Sequence, residues 1–242
     1  MGKVFFITGT GTGVGKTVFT ALWLNHLRNN GVDAIGLKPF CSGNRNDAKI
    51  LAAFQDKTGG IEEINPWFVP EPVAPGVYLK KPTLKVAVRW VGGWRRVREA
   101  VLVEGVGWLM VPVTMEWTVL DLIEGVRPDG VVLVARNELG VINQVLLSIL
   151  ALEGRGLTEI LVILVDGKKR EMKEDISSGT NAGMIRDWSG KRVLEWPNLG
   201  HFVGEIGSLK KISKKFQKPL AKVLGSDSFC PFFNRGLRVR AG

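Results

Sequence analysis

Gly9-Thr10-Gly11-Thr12-Gly13-Val14-Gly15-Lys16-Thr17 is entered by the apolar run Val4-Phe5-Phe6-Ile7 and left by an amphipathic run from about Val18 to about Asn30. Strand, glycine-rich loop, Gly-Lys-Thr and helix in that order form the setting of a phosphate-binding loop. The glycines let the backbone turn tightly and aim successive N–H groups inward, and the helix N-terminus adds partial positive charge. Lys16 is placed to reach outer phosphates, and the Thr17 hydroxyl to ligate Mg²⁺. The spacing departs from Gly-x-x-x-x-Gly-Lys-Thr by one residue. The first glycine would fall on Thr10, with Gly9 one position early and Gly11 one late. The flanking strand and helix decide for a phosphate loop over a glycine-rich turn with an accidental Gly-Lys-Thr.

At 242 residues the chain suffices for one α/β domain with a full core. One domain over 1–242 is the economical reading, with 205–242 as a basic helical segment and tail. No apolar run is long enough to span a bilayer, so no membrane partner is expected. Met1 leads directly into a strand with no signal-peptide pattern. Two cysteines, Cys41 and Cys230, argue against a disulfide scaffold and fit a reducing cytosol, so a cytoplasmic location is expected. Two histidines, His26 and His201, leave little room for a His-rich metal site or a Ser-His-Asp triad. Lys and Arg exceed Asp and Glu by 33 to 23, a net charge of +10. Such charge attracts nucleic acid, membranes or anionic ligands. Much of it sits over Trp90 to Arg98, over Leu209 to Lys222 and at the Arg-rich end. A solvated basic surface on a phosphate-binding enzyme is favoured over nucleic-acid binding.

Ala34-Ile35-Gly36-Leu37 reads as a second strand ending at Lys38-Pro39. Strand, helix and strand imply a parallel sheet, whose ligands sit at the carboxyl ends of the strands. Lys38 lies at such an end, although a strand-end lysine alone is more often simply exposed. Ser42 alone is a loop serine. Asp47 is placed to cap a helix over Ala48 to Phe54. Asn65 to Pro82, with five prolines, is expected to be extended or turning, as in a functional loop or lid. Thr83 to Arg98 suggests a helix interrupted at Gly92-Gly93, with Arg89, Arg95, Arg96 and Arg98 on a solvated face. Val101-Leu102-Val103 is a buried strand ending on Glu104. In phosphate-loop proteins an acid at the end of a neighbouring strand helps hold Mg²⁺. Pro112 to Thr118 reads as a loop and Val119 to Val126 as a helix. Val131 to Ala135 and Ile160 to Val165 are strands, with a helix over Val141 to Glu153 between them. Arg192 to Glu195 is a short last strand, turned by Trp196-Pro197-Asn198. The fold class is α/β, P-loop NTPase-like, with a mostly parallel sheet flanked by helices on both faces.

These residues resemble dethiobiotin synthetase, the ATP-dependent carboxylase of biotin synthesis. Five stretches carry the resemblance: Thr8 to Thr17, Lys38-Pro-Phe-Cys-Ser-Gly43, Asn65-Pro66 to Glu71-Pro72, Val103 to Pro112, and Leu133 to Asn143. The family shares the threonine where the first glycine of the loop is expected. The resemblance implies ATP as co-substrate on Gly13, Val14, Gly15, Lys16, Thr17 and Val18, with Asp47 also facing the nucleotide. It implies Mg²⁺ on Thr17, Asp47 and Glu104, which makes Asp47 a metal ligand. Lys38 and Lys16 are the implied catalytic lysines. Thr12 and Ser42 are implied to face the substrate, 7,8-diaminononanoate, which reacts with CO₂ or bicarbonate. The family works as a homodimer in which Gly140, Val141, Ile142 and Asn143 of one subunit hold the substrate carboxylate for the other. A carboxylate on a helix N-terminus is physically sensible. An adenine-reading asparagine of the family aligns with Val165, which leaves the base to Asp166 or to Trp196, Pro197 and Asn198. Gly11, Trp108 and Gln144 stand where the family commonly has aspartate, glycine and histidine.

Two other readings compete. The cobyrinate diamide synthase group is similar in the loop but carries a glutamine-using domain for which this chain has no room. A partitioning or positioning ATPase, switching on DNA or membrane, carries a lysine early in the loop, and positions 10 to 14 contain none.

Overall fold

The strands of an all-parallel sheet are covered on both faces, so they read as unbroken apolar runs rather than alternating ones. Val4, Phe5, Phe6 and Ile7 have no exposed surface, nor has any residue from Ala100 to Glu104. The computed structural model describes residues 1–55, 60–166, 177–197, 199 and 207. The basic segment over 205–242 and the turn residue Asn198 therefore lie outside the described residues, Gly207 of that segment apart.

In chain order the elements are β1 (Lys3–Gly9), α1 (Lys16–Asn29), β2 (Ala34–Leu37), β3 (Phe40–Ser42), α2 (Asn46–Ala53), α3 (Ile61–Ile64) and β4 (Trp67–Val69). A 3-10 turn (Pro75–Val77) leads to α4 (Leu84–Val97), β5 (Ala100–Glu104), α5 (Val119–Val126), β6 (Gly130–Asn137), α6 (Val141–Glu153), β7 (Ile160–Asp166), α7 (Ser178–Ser189) and β8 (Arg192–Trp196). Six strands form one parallel sheet in the order β2-β5-β1-β6-β7-β8. No described helix is long and apolar enough to cross a membrane.

Several boundaries differ from the sequence reading, each for a local reason. The first helix begins at Lys16 rather than near Val18, because the glycine loop runs directly into it. Asp47 does not cap α2; Arg45 holds the N-cap position, and Asn44 Oδ1 accepts from the Asn46 N–H at 2.9 Å. Gly92 and Gly93 do not interrupt α4, which is anchored on its inner face by buried Ala87 and Val91. Arg95 and Arg98 of that stretch are paired with Asp129 and Asp33 rather than freely solvated. The proline-rich segment holds β4, which pairs in parallel with β3 through Phe40↔Trp67 and Ser42↔Val69. Phe40 stacks on Trp67 with ring centroids 4.9 Å apart. The last strand extends to Trp196, whose ring packs edge-on to Phe19 instead of entering a turn.

At the amino ends of the strands, Asp129 ties three elements together. It accepts from Lys3 Nζ at 2.8 Å, from Arg95 at 2.9 Å and from the Val4 N–H at 2.9 Å. The opposite, carboxyl ends carry the phosphate loop.

Candidate functional site

A cavity of about 710 Å³ runs over the carboxyl ends of the strands. The phosphate loop forms its floor between β1 and α1. Gly13 and Gly15 have φ of 71° and 106°, a left-handed backbone that disfavours any side chain. Gly9 answers a different need. A Cβ there would lie 2.8 Å from the Val134 carbonyl, so this early glycine lets β1 approach β6 closely. Thr10, at the position of the expected first glycine, donates its backbone N–H to that same carbonyl at 3.0 Å. Lys16 Nζ donates to the Gly11 carbonyl at 2.7 Å. Burial, and then the charge of Lys38, push the Lys16 ammonium down to about 8.

Beside the loop, β2 and β5 are paired Leu37↔Val103. The next residue of each strand end is Lys38 and Glu104, and the ladder thereby sets these two side by side. Lys38 Nζ contacts Glu104 Oε1 at 2.7 Å, Asp47 Oδ2 at 2.9 Å and the Gly105 carbonyl at 3.0 Å. An ammonium has three donors, and here each has an acceptor. Burial alone would lower the Lys38 pKa, but Glu104 and Asp47 outweigh it and hold it above the ordinary lysine value. The Asp47 carboxyl is held below its usual range, chiefly by Lys38. Burial pushes the Glu104 carboxyl up, against the pull of Lys38.

The expected metal residues Thr17, Asp47 and Glu104 converge here. Thr17 Oγ1 donates to Glu104 Oε1 at 2.7 Å. Glu104 Oε2 is buried without a hydrogen-bond partner. A buried, unpaired carboxylate oxygen is costly unless something binds it. The donor set is a hydroxyl and two carboxylates. That suits Mg²⁺, which is held by one or two carboxylates plus water and phosphate oxygens rather than by an all-protein cage. Among the described residues no group of three or more His, Cys, Asp or Glu gathers to offer a softer or denser site.

The remaining expected residues are distributed as follows. Thr12, Val14, Val18 and Ser42 line the cavity, as do Asp166, Trp196 and Pro197 at its far end. Val165 lines it too, and its methyls face Gly15. Gly140, Val141, Ile142 and Asn143 do not line the cavity of their own chain. They form the start of α6, where Gly140 is the N-cap residue and no side chain caps the helix.

Three residues that the sequence reading assigned no site role stand close to the chemistry. Asn65 has no exposed surface, and its Nδ2 donates to the Lys38 carbonyl at 2.7 Å, while the Lys38 N–H donates to Ile64 at 2.9 Å. The backbone that carries Lys38 is thus held from both sides. Only the Asn65-Pro66 pair within a proline-rich stretch hinted at this. Cys41 lines the cavity as a neutral thiol, pushed up to about 11 chiefly by burial, and so is a poor nucleophile at neutral pH. Arg136, at the end of β6, donates to the Gly13 carbonyl at 2.7 Å.

A family profile described as AAA domain matches residues 3–212. The ATP-dependent dethiobiotin synthetase BioD of Akkermansia muciniphila is 35% identical over 194 residues, which cover 78% of this chain and 89% of the relative. The protein of the same name from Anaeromyxobacter sp. strain K is 36% identical over 216 residues, covering 84% and 95%. Among solved structures, the MinC:MinD cell division protein complex of Aquifex aeolicus matches with a TM-score of 0.63 at 14% identity, over 99% of each chain. At that identity the likeness is one of fold.

Proposed function

This chain belongs to the ATP-dependent dethiobiotin synthetase family, ligases of biotin biosynthesis, and from that membership we propose the course of its reaction and the residues that carry it. ATP is its co-substrate. One amine of 7,8-diaminononanoate adds to CO₂ and loses a proton, giving a carbamate. A carbamate oxygen then attacks the γ-phosphorus of ATP, and ADP leaves. The second amine attacks the carbamoyl carbon, closes the ureido ring and expels phosphate.

No step needs a protein nucleophile. Each needs positive charge where oxygens gain negative charge, in a place sheltered from water. Lys16 serves the outer phosphates from the loop. Lys38 serves the carbamate and the phosphoryl oxygens, and it does so by handing over one of its three present bonds, since no donor is spare. Mg²⁺ would be held by Thr17, Asp47 and Glu104 and would offset charge on the phosphate oxygens. Thr12 and Ser42 face the diamine.

The substrate carboxylate would be met by the Gly140–Asn143 N–H groups of a second copy. In support, the exposed apolar residues Leu139, just before α6, and Leu147 and Leu150, further along it, offer a second copy a surface on this helix.

The observation that carries the proposal is that Lys38, Asp47 and Thr17, which line one cavity beside the phosphate loop, converge with the buried Glu104 behind them. The test is phosphate release from MgATP with labelled bicarbonate, with and without the diamine. Diamine-dependent release with label in a cyclic product is expected. Release that ignores the diamine but answers to DNA or vesicles would move the chain to the switch ATPases.

A further inference from the structure

The cavity crosses the strand ends in the order in which they lie in the sheet. Glu104 closes β5 on one side of the phosphate loop. Val165 and Asp166 close β7, two strands away on the other side. Between them Arg136 stands at the end of β6, directly opposite Val165 in the ladder.

Arg136 is half-buried, lines the cavity, and donates Nη2 to the Gly13 carbonyl at 2.7 Å. A guanidinium carries five N–H donors in a planar fork that matches phosphate oxygens. Arg95, Arg98 and Arg155 each pair with a carboxylate. Among the described residues, Arg136 is instead hydrogen-bonded to a main-chain carbonyl of the phosphate loop itself. Its charge is therefore not cancelled by an acid and faces the space over the loop.

We infer that Arg136 is a nucleotide-binding residue, gripping the loop with one N–H and the inner phosphates of the nucleotide with others. The inference rests on the proposed reading only in taking a nucleoside triphosphate as the ligand. The position along the cavity selects the inner phosphates. Lys38, Asp47, Glu104 and Thr17 gather on the β5 side, where the transferred phosphoryl group needs them. The wall of Val165 and Trp196 lies on the β7–β8 side, where a base fits. A triphosphate laid between the two passes Gly13 and Arg136 with its inner groups. Arg–phosphate contacts of this kind are strong and directional.

The test is calorimetric titration of ATP and ADP into the wild-type protein and the Arg136→Ala, Arg136→Gln and Arg136→Lys variants. Glutamine retains an N–H for the Gly13 carbonyl and removes the charge. Arg136→Ala and Arg136→Gln are expected to weaken ATP and ADP alike, by roughly ten- to hundredfold, the worth of a hydrogen bond between charged partners. Lysine is expected to recover part of the loss. Wild-type affinity in Arg136→Gln would overturn the inference, since the residue would then only prop the loop. A loss confined to ATP would overturn it too, by placing the contact at the outer phosphate. Should Arg136→Ala fail to fold, Arg136→Gln and Arg136→Lys decide alone. These affinities are read without diamine, so failure of the ligase reading would appear separately, as phosphate release indifferent to the diamine.

Discussion

Lys38 Nζ lies 2.7 Å from Glu104 Oε1, with both side chains withdrawn from solvent. The two residues are 66 positions apart in sequence. They meet because adjacent parallel strands end in register, and the first residue past Leu37 faces the last residue of β5. Removing one member strands a buried charge, which costs about 3–5 kcal/mol. Lys38→Ala is therefore expected to lower stability by about that amount in a denaturant melt. Its turnover is expected to fall by about 10²–10³-fold, the worth of one preorganised charge donor. ATP affinity, set by the loop, is expected to stay within a few-fold. Near-normal turnover in Lys38→Ala would remove this lysine from the mechanism.

Glu104 offers one oxygen to Lys38 and Thr17 and leaves the other bare. Glu104→Gln keeps the size and removes the charge. It is expected to raise the Mg²⁺ concentration needed for half-maximal ATP binding by tenfold or more. Manganese binding followed by electron paramagnetic resonance gives a second readout. If the variant bound metal as tightly as the wild type, the divalent ion would sit elsewhere.

Lys16 gives the pH dependence. Its ammonium titrates near 8 in the folded protein, against about 10.5 for an unperturbed lysine. Between those values the unfolded chain holds the extra proton, so stability rises with pH across that window. At neutral pH the charged, buried lysine costs stability, and Lys16→Met is expected to stabilise the fold by up to about 3 kcal/mol while abolishing tight ATP binding. For the wild type, ATP affinity is expected to weaken as pH rises above 8, because the phosphates want the ammonium. Calorimetry in buffers of different ionisation enthalpy will then report proton uptake on binding. Affinity flat from pH 7 to 9.5 would contradict the assignment.

Leu147 and Leu150 give the test of pairing between copies. Leu147→Glu with Leu150→Glu is expected to yield monomers by light scattering. The monomers are expected to keep ATP affinity and lose diamine-dependent turnover. Full turnover in a monomeric variant would locate the carboxylate site within one chain.

What the sequence made legible was whatever is contiguous. The phosphate loop, the apolar strands and the helices over 119–126 and 141–153 each carry their signal within one run of residues, and the structure places those two helices at the same bounds. Three-residue strands such as Phe40–Ser42 and Trp67–Val69 are too short for a period, and their pairing depends on Phe40 meeting Trp67. Asp47 looked like a cap because capping is a local preference, whereas its partner Lys38 is supplied by the neighbouring strand end. Asn65 and Arg136 have meaning only through the carbonyls of Lys38 and Gly13, which no spacing in the chain records.

The ion pairs of Asp129 with Lys3 and Arg95 stand at one rim of the sheet, and the lysines and acids of the cavity stand at the other. The strands between them act as a spacer with a mechanical end and a chemical end. Substitutions in the charges of the mechanical rim are expected to shift melting temperature and leave turnover alone. Adaptation to heat can thus proceed at one edge of the sheet without touching the chemistry, while a change of chemistry at the other edge carries its own change in stability, as at Lys38 and Lys16.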